Sequence, residues 1–312
     1  MQKNKFKSLL NITKKRGFTL VEFGAVLVVV SVVVVAVVNG AKLIDTAQVV
    51  AIQNIITAQN TRIPPAIINN RRNLVLWLDA AADKSFEAAD LAVTNSPISV
   101  WHSTNPFTLK TIDFTQSTPA KRPLFTKNSI NALPTVKFVG TSGTYLQTSI
   151  SKITPNKLEV FIVAKRISVL SGNPSVAIFH RNNGTDDFGT TESFVLTHED
   201  HAGAGTMQVY RAAQKSTVAV APENNTAYIY SVRFDGTNNT VYLNNVARPS
   251  VASTGNFGIE QITVGARFYG GGIQVPWNGY LGELIFFNKS LTDAERVEIT
   301  KYLSDKWAIP VS

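Results

Sequence analysis

Tyr228-Ile229-Tyr230-Ser231-Val232-Arg233-Phe234 is the stretch whose reading decides the fold class. Tyr228, Tyr230, Val232 and Phe234 occupy alternate positions, so a pleated strand places them on one face and Ile229, Ser231 and Arg233 on the other. Asp235-Gly236 then turns the chain into 240–243, and the two runs read as a hairpin. The texture is the same on either side of it. Short β-branched and aromatic runs, broken by Gly, Asn, Asp and Pro, predict strands over 74–78, 135–139, 158–164, 193–197, 207–212, 261–267 and 280–287. The set predicts a mainly β protein, an antiparallel β-sandwich or jelly roll over 74–312. One helix closes the chain. Thr292 and Glu295 have the spacing of a capping box. Val297, Tyr302 and Leu303 are expected to face the sandwich, with Trp307 at the helix end.

The other end of the chain reads differently. Lys14-Lys15-Arg16-Gly17 precedes an apolar run over 18–38 in which Glu22 is the one ionisable group. A helix of that length spans roughly 31 Å, close to the hydrocarbon thickness of a bilayer. Valine is a weak helix former in water, but a single apolar run in lipid must satisfy its own backbone hydrogen bonds and is helical there. Glu22 costs about 2.5–3.5 kcal/mol in such a segment, which marks it as functional. Cleavage between Gly17 and Phe18 would free an α-amine about one helical turn from Glu22, a partner for its charge. The apolar pattern continues as an amphipathic helix through Leu43, Ala47, Val50, Ala51, Ile55 and Ala58. Asn39-Gly40 is a candidate hinge where the helix leaves lipid. Pro64-Pro65 is expected to end the helix, with 63–73 as a linker.

Lys-Arg-Gly followed by Phe18-Thr19-Leu20-Val21-Glu22 and a long apolar helix resembles the type IV prepilin signal of pilins, pseudopilins and minor pilins. The resemblance implies a leader over 1–17 and a pilin-like helix over 18–62. It implies cleavage after Gly17 by a prepilin peptidase and methylation of Phe18. It also implies Glu22 as the charge that docks the subunit onto other pilin subunits in a filament. An ordinary secretory signal would have a shorter apolar core followed by a small-residue cleavage site, and an uncleaved anchor would not need Glu22.

Six of the 30 basic residues lie before Phe18 with no acid among them, so the rest of the chain carries a net charge of +3 rather than +9. The excess is a topology signal. It keeps the N-terminus cytoplasmic, exports the remainder from the inner membrane, and gives no reason to expect a nucleic-acid partner. The chain has no cysteine. That excludes thiolate metal sites and cysteine nucleophiles, and it departs from the commoner pilin pattern of a C-terminal disulfide.

A second resemblance covers most of 74–312. Leu76-Trp77-Leu78-Asp79-Ala80, Arg122-Pro123-Leu124, Val136-Lys137-Phe138-Val139-Gly140, Phe234-Asp235-Gly236 and Gly279-Tyr280-Leu281-Gly282-Glu283-Leu284-Ile285 look like concanavalin A-like, laminin G-like domains of bacterial surface proteins. Leu291-Thr292-Asp293-Ala294-Glu295-Arg296 extends the match. This fold hosts lectins, adhesins, sugar-binding modules and hydrolases, so it implies an architecture more than an activity. Glycosidases of this kind project carboxylates from one strand face, and no Glu-x-Asp-x-Glu run occurs, Glu159 and Glu283 each standing alone in their strands. No phosphate loop, His-Glu-x-x-His or Gly-x-Ser-x-Gly occurs either. The chain therefore reads as a non-enzyme.

Two sets of binding residues stand out. His198 and Asp200, with Asp186 and Asp187 from a neighbouring stretch, could ligate calcium, and a merely solvated loop is the alternative. Trp101, Tyr269 and Trp277 fall in loop-like stretches where an aromatic face could stack on a sugar, and Gly270-Gly271-Gly272 would let a ligand approach the backbone. Core packing is the alternative for each. The sequence as a whole reads as a pilin-like subunit, in a pilus or pseudopilus at the cell surface, displaying a lectin-like domain for adhesion or glycan binding. The rivals are a pseudopilin of a secretion or DNA-uptake machine and a surface-tethered glycoside hydrolase.

Overall fold

In the computed structural model, residues 63–312 are described, apart from 92, 110, 169–175, 182–191, 193, 199–206, 212–213, 219–221 and 270–271. The expected leader, Gly17, Phe18, Glu22 and the helix over 18–62 lie outside the described residues. Among those described, no helix is long and apolar enough to cross a membrane.

The strands are β1 (Leu74–Asp79), β2 (Ser96–Pro97), β3 (Val100–His102), β4 (Asp113–Thr115), β5 (Leu124–Ile130), β6 (Leu133–Phe138), β7 (Leu146–Ile153), β8 (Leu158–Arg166), β9 (Val176–Arg181) and β10 (Phe194–His198). They continue as β11 (Met207–Arg211), β12 (Gln214–Val218), β13 (Ala227–Phe234), β14 (Asn238–Leu243), β15 (Val246–Ala247), β16 (Val251–Ala252), β17 (Ile259–Val264), β18 (Arg267–Tyr269), β19 (Gly272–Gln274) and β20 (Gly279–Phe287). Among the described residues two α-helices, α1 (Pro65–Asn69) and α2 (Asp293–Trp307), flank them in sequence.

A ten-stranded sheet runs β15-β14-β13-β8-β20-β6-β5-β2, with β1 also on β20 and β16 on β14. An eight-stranded sheet runs β12-β11-β10-β9-β17-β7-β4-β3. One apolar cluster draws on both: Val160, Val232 and Phe286 from the first sheet meet Trp101, Phe114 and Ile262 from the second. Phe194 and Phe234 join across it at 5.5 Å, edge to face. The described residues therefore form an antiparallel β-sandwich, as the alternation along 228–234 predicts, with a C-terminal helix.

The hairpin is where the sequence places it, with β14 beginning two residues earlier than expected. The Asp235 carboxylate accepts from the amides of Thr237 and Asn238 at 2.8 and 2.7 Å. Gly236 has φ +98°, a left-handed value that suits glycine. The outward face of β13 departs from simple alternation, because Ile229 and Ser231 are as buried as Tyr230 and Val232. The reason is α2, which packs against β8 and β13. Covered on both faces, β8 is buried almost throughout, and 160–164 reads as a continuous apolar run. Ile299, Leu303 and Trp307 are the buried apolar residues of α2, and Tyr302 meets Trp77 edge to face at 6.1 Å. Val297, expected to face the sandwich, is exposed. The capping box is present, with Glu295 N–H on Thr292 Oγ1 at 3.2 Å and Thr292 N–H on Glu295 Oε2 at 2.8 Å.

Residues 63–73 are not a free linker. Pro65 starts α1, where its missing N–H costs nothing. Ala66 and Ile67 are buried, and α1 docks on α2. The Asn70 amide donates to Glu295 Oε1 at 2.7 Å, and Ala66 N–H reaches Glu298 Oε1 at 3.3 Å. Periodicity alone could not show this, because the partners lie more than two hundred residues downstream.

Candidate functional site

At the β3 end of the eight-stranded sheet, strand register sorts side chains between core and surface. Trp101 pairs with Phe114, and both point into the core. Their neighbours Val100 and Thr115, and His102 and Asp113, pair on the opposite face. Thr115 then pairs with Gln147 of β7. Val100, Asp113, Thr115 and Gln147, with residues from the connections on either side of β4, line a groove of about 880 Å³. Most of its lining residues carry a hydroxyl or an amide, among them Ser99, Thr111, Thr115, Gln147, Ser149 and Ser151. Ile112, Ile150 and Ile153 supply apolar floor, and Tyr145 the aromatic ring. Each of these polar groups can both donate and accept, or offers both functions in one amide, which suits a ligand rich in hydroxyls.

The groove is braced from behind. Gln116 is buried, and its side chain spans from Tyr145 O (3.4 Å) to the amide of Thr118 (2.9 Å). Arg122 Nε donates to Gln116 O at 3.0 Å, which fixes the guanidinium at the groove wall. Gln147 Nε2 donates to Thr263 Oγ1 at 2.9 Å. Fixed polar groups bind with less ordering cost than mobile ones.

One rim carries a charged clasp. His102 Nδ1 lies 2.8 Å from Asp113 Oδ1, and its Nε2 lies 3.2 Å from Glu87 Oε1. Partial burial works against the charged imidazole, but the bonds to Asp113 and Glu87 outweigh it and raise its pKa above 6.5. The two carboxylates sit on opposite ring nitrogens, so they cannot converge on one ion with the imidazole. Among the described residues no group of three or more metal-binding side chains is placed to hold an ion.

None of the described residues singled out from the sequence, Trp101, His198, Tyr269 and Trp277, lines the groove. Trp101 and Trp277 are fully buried members of the core, which corrects their reading as sugar platforms. Strand register carries Trp101 there, opposite Phe114, and close approach of a glycine seats Trp277: a Cβ on Gly279 would lie 2.8 Å from Trp277 Nε1. Tyr269 ends β18, which pairs with β19. His198 ends β10 opposite Met207, while Asp186, Asp187 and Asp200 lie outside the described residues.

Glu159 and Glu283 are each fully buried and fully engaged. Glu159 holds Arg233 at 3.2 Å and the amide of Leu291 at 2.8 Å. Burial nevertheless pushes its pKa up to about 7, against the pull of Arg233. Glu283 accepts from Trp77 Nε1 (2.7 Å), Tyr302 OH (3.0 Å), Trp307 Nε1 (2.8 Å) and Lys306 Nζ (2.7 Å). The groove residues were missed from the sequence because they are small, polar and spread over three strands. The one available signal was the Ser/Thr alternation in Gln147-Thr148-Ser149-Ile150-Ser151.

No protein-family model matches the chain, and no curated protein matches it. Among solved structures it is similar to domain 4 of AbnA, a GH43 extracellular arabinanase from Geobacillus stearothermophilus, solved with arabinotriose. The identity there is 10%, the similarity covers 74% of this chain and 98% of that one, and the TM-score is 0.49. It is also similar to a heptameric SAP-like pentraxin from Limulus polyphemus, at 16% identity over 53% of this chain and 79% of that one, with a TM-score of 0.41. A third similarity, at 10% identity, is to botulinum neurotoxin type C in a structure concerned with its interaction with two ganglioside molecules; it covers 76% of this chain and 53% of that one, with a TM-score of 0.49.

Proposed function

We propose that this chain is a non-catalytic glycan-binding subunit, carried on a pilin-like N-terminal helix and displayed at the cell surface. The observation that carries the binding reading is the groove on β3, β4 and β7, about 880 Å³ in volume and lined by hydroxyls, amides and Tyr145. Its polar wall is matched to sugar hydroxyls and its isoleucines to the apolar faces of sugar rings. The non-catalytic reading is supported by the placement of Glu159 and Glu283, both sealed from solvent and neither lining the groove. The pilin-like reading is supported by the Lys-Arg-Gly/Phe18-Thr19-Leu20-Val21-Glu22 motif and the apolar run behind it. Filament assembly, prepilin peptidase and neighbouring pilin subunits follow from that motif.

Binding of the detergent-solubilised full chain to a panel of immobilised glycans tests the first part. Retention of at least one glycan class, lost on Ser149→Tyr, supports the groove. Binding that persists in that variant would move the ligand elsewhere, and turnover of a bound polysaccharide would overturn the non-catalytic reading. Mass analysis of sheared surface fibres tests the second part. A chain beginning at methylated Phe18 is expected, and a surface form that retains Met1 would sink it.

A further inference from the structure

We propose that Lys306 and Asp79 condense into an intramolecular amide, with Glu283 as the group that relays the protons. The three residues come from the two ends of the domain. Asp79 closes β1 and lies in register with Glu283 on β20. The last turn of α2 brings Lys306 over both. Its Nζ is 2.5 Å from Asp79 Oδ2 and 2.7 Å from Glu283 Oε2. Side-chain exposure is 9% for Asp79, 14% for Lys306 and 0% for Glu283. Trp77, Tyr302 and Trp307 wall the cluster, each donating to Glu283.

This is reactant geometry. The amine is held at hydrogen-bond distance from the carboxyl it would attack, so a bimolecular condensation becomes a local step. The two carboxylates are distinguished by their surroundings. Four donors converge on the Glu283 carboxylate, which touches the ammonium. Asp79 has fewer donors, and burial, reinforced by the charge of Glu283, lifts it to about 6. It is therefore the carboxyl that can take a proton and lose an oxygen. Condensation also removes one positive and one negative charge from a site where both are costly.

The balance is simple. The ammonium of Lys306 carries three protons. Glu283 accepts one and passes it to the Asp79 carboxyl, and the freed amine attacks Cγ. A C–N bond forms, one Cγ–O bond breaks, and the oxygen leaves as water with that proton and a second one from nitrogen. The third proton stays on the amide nitrogen, Glu283 ends as it began, and nothing is oxidised or reduced. Exclusion of bulk water by the indoles protects the product from hydrolysis. The bond would tie the first strand to the last helix in a domain that has no cysteine to do so.

The test is peptide mapping by mass spectrometry of the full chain after complete denaturation. The expected result is a branched peptide joining the Asp79 and Lys306 segments, lighter by one water than the two linear peptides together. Recovery of both linear peptides at full mass, with no branched species, overturns the proposal. In Lys306→Arg the branched peptide is expected to vanish. In Glu283→Gln it is expected to fall at least tenfold in folded protein, as judged by circular dichroism. A branched peptide at wild-type yield in that variant would remove Glu283 from its role.

Discussion

Gly282 lies directly beneath the indole of Trp307: a Cβ built there would be 2.6 Å from Cη2 and 2.8 Å from Cζ3. The glycine in the middle of β20 is thus a seat for the residue that ends α2. Gly282→Ala is expected to destabilise the domain by about 1–3 kcal/mol, because the ring is fully buried and cannot swing away. Thermal unfolding checks this, and pairing the change with Trp307→Ala should abolish the additional cost.

The capping box makes a smaller prediction. Thr292→Ala removes the acceptor for Glu295 N–H and should cost about 1 kcal/mol of stability in denaturant titration. Groove binding should be unchanged, since Thr292 is remote from the groove lining.

Trp101 and Trp277 predict a loss of folding rather than a loss of ligand. Each is fully buried. Truncation of either to alanine should cost about 3–5 kcal/mol. Chemical denaturation of the two variants is the measurement, and an unchanged midpoint would contradict their placement.

Glu159 predicts a dependence on pH. Its folded value of about 7 lies above the ordinary 4.5, so the fold favours its uncharged form. That contribution is fully present below pH 4.5 and is lost as pH rises through 7. The stability advantage of wild type over Glu159→Gln should therefore shrink by roughly 3 kcal/mol between pH 4.5 and 8. Denaturant titrations at both pH values would show it, and a gap that widens with pH would reverse the sign.

Ser149 is exposed on β7 and lines the groove. Ser149→Tyr should weaken glycan binding at least tenfold, equivalent to about 1.4 kcal/mol, without moving the unfolding midpoint. Calorimetric binding and thermal unfolding on the same sample separate the two effects.

The parts of the fold that were legible in the sequence are those with a local cause. Alternation in 228–234, the Asp235-Gly236 turn and the Thr292–Glu295 cap each depend on neighbours a few residues away. What was not legible depends on distant partners. The burial of Trp101 is decided by pairing with Phe114, and that of Ile229 and Ser231 by a helix that begins at Asp293. The helix at Pro65 was read as a stop because its docking partners, Glu295 and Glu298, are far along the chain. The strand β7 escaped notice because its Ser and Thr residues face the groove, so no apolar periodicity announces it.

Helix α2 packs on the ten-stranded sheet, whereas the groove opens on strands of the other one. That asymmetry separates what can vary from what cannot. Substitutions around Thr115 and Ser149 meet solvent, so they can accumulate at little cost to the fold. Changes around Glu283 meet two indoles, a phenol and an ammonium at once, and would be purged. Natural diversity in such a domain should accumulate on one side only.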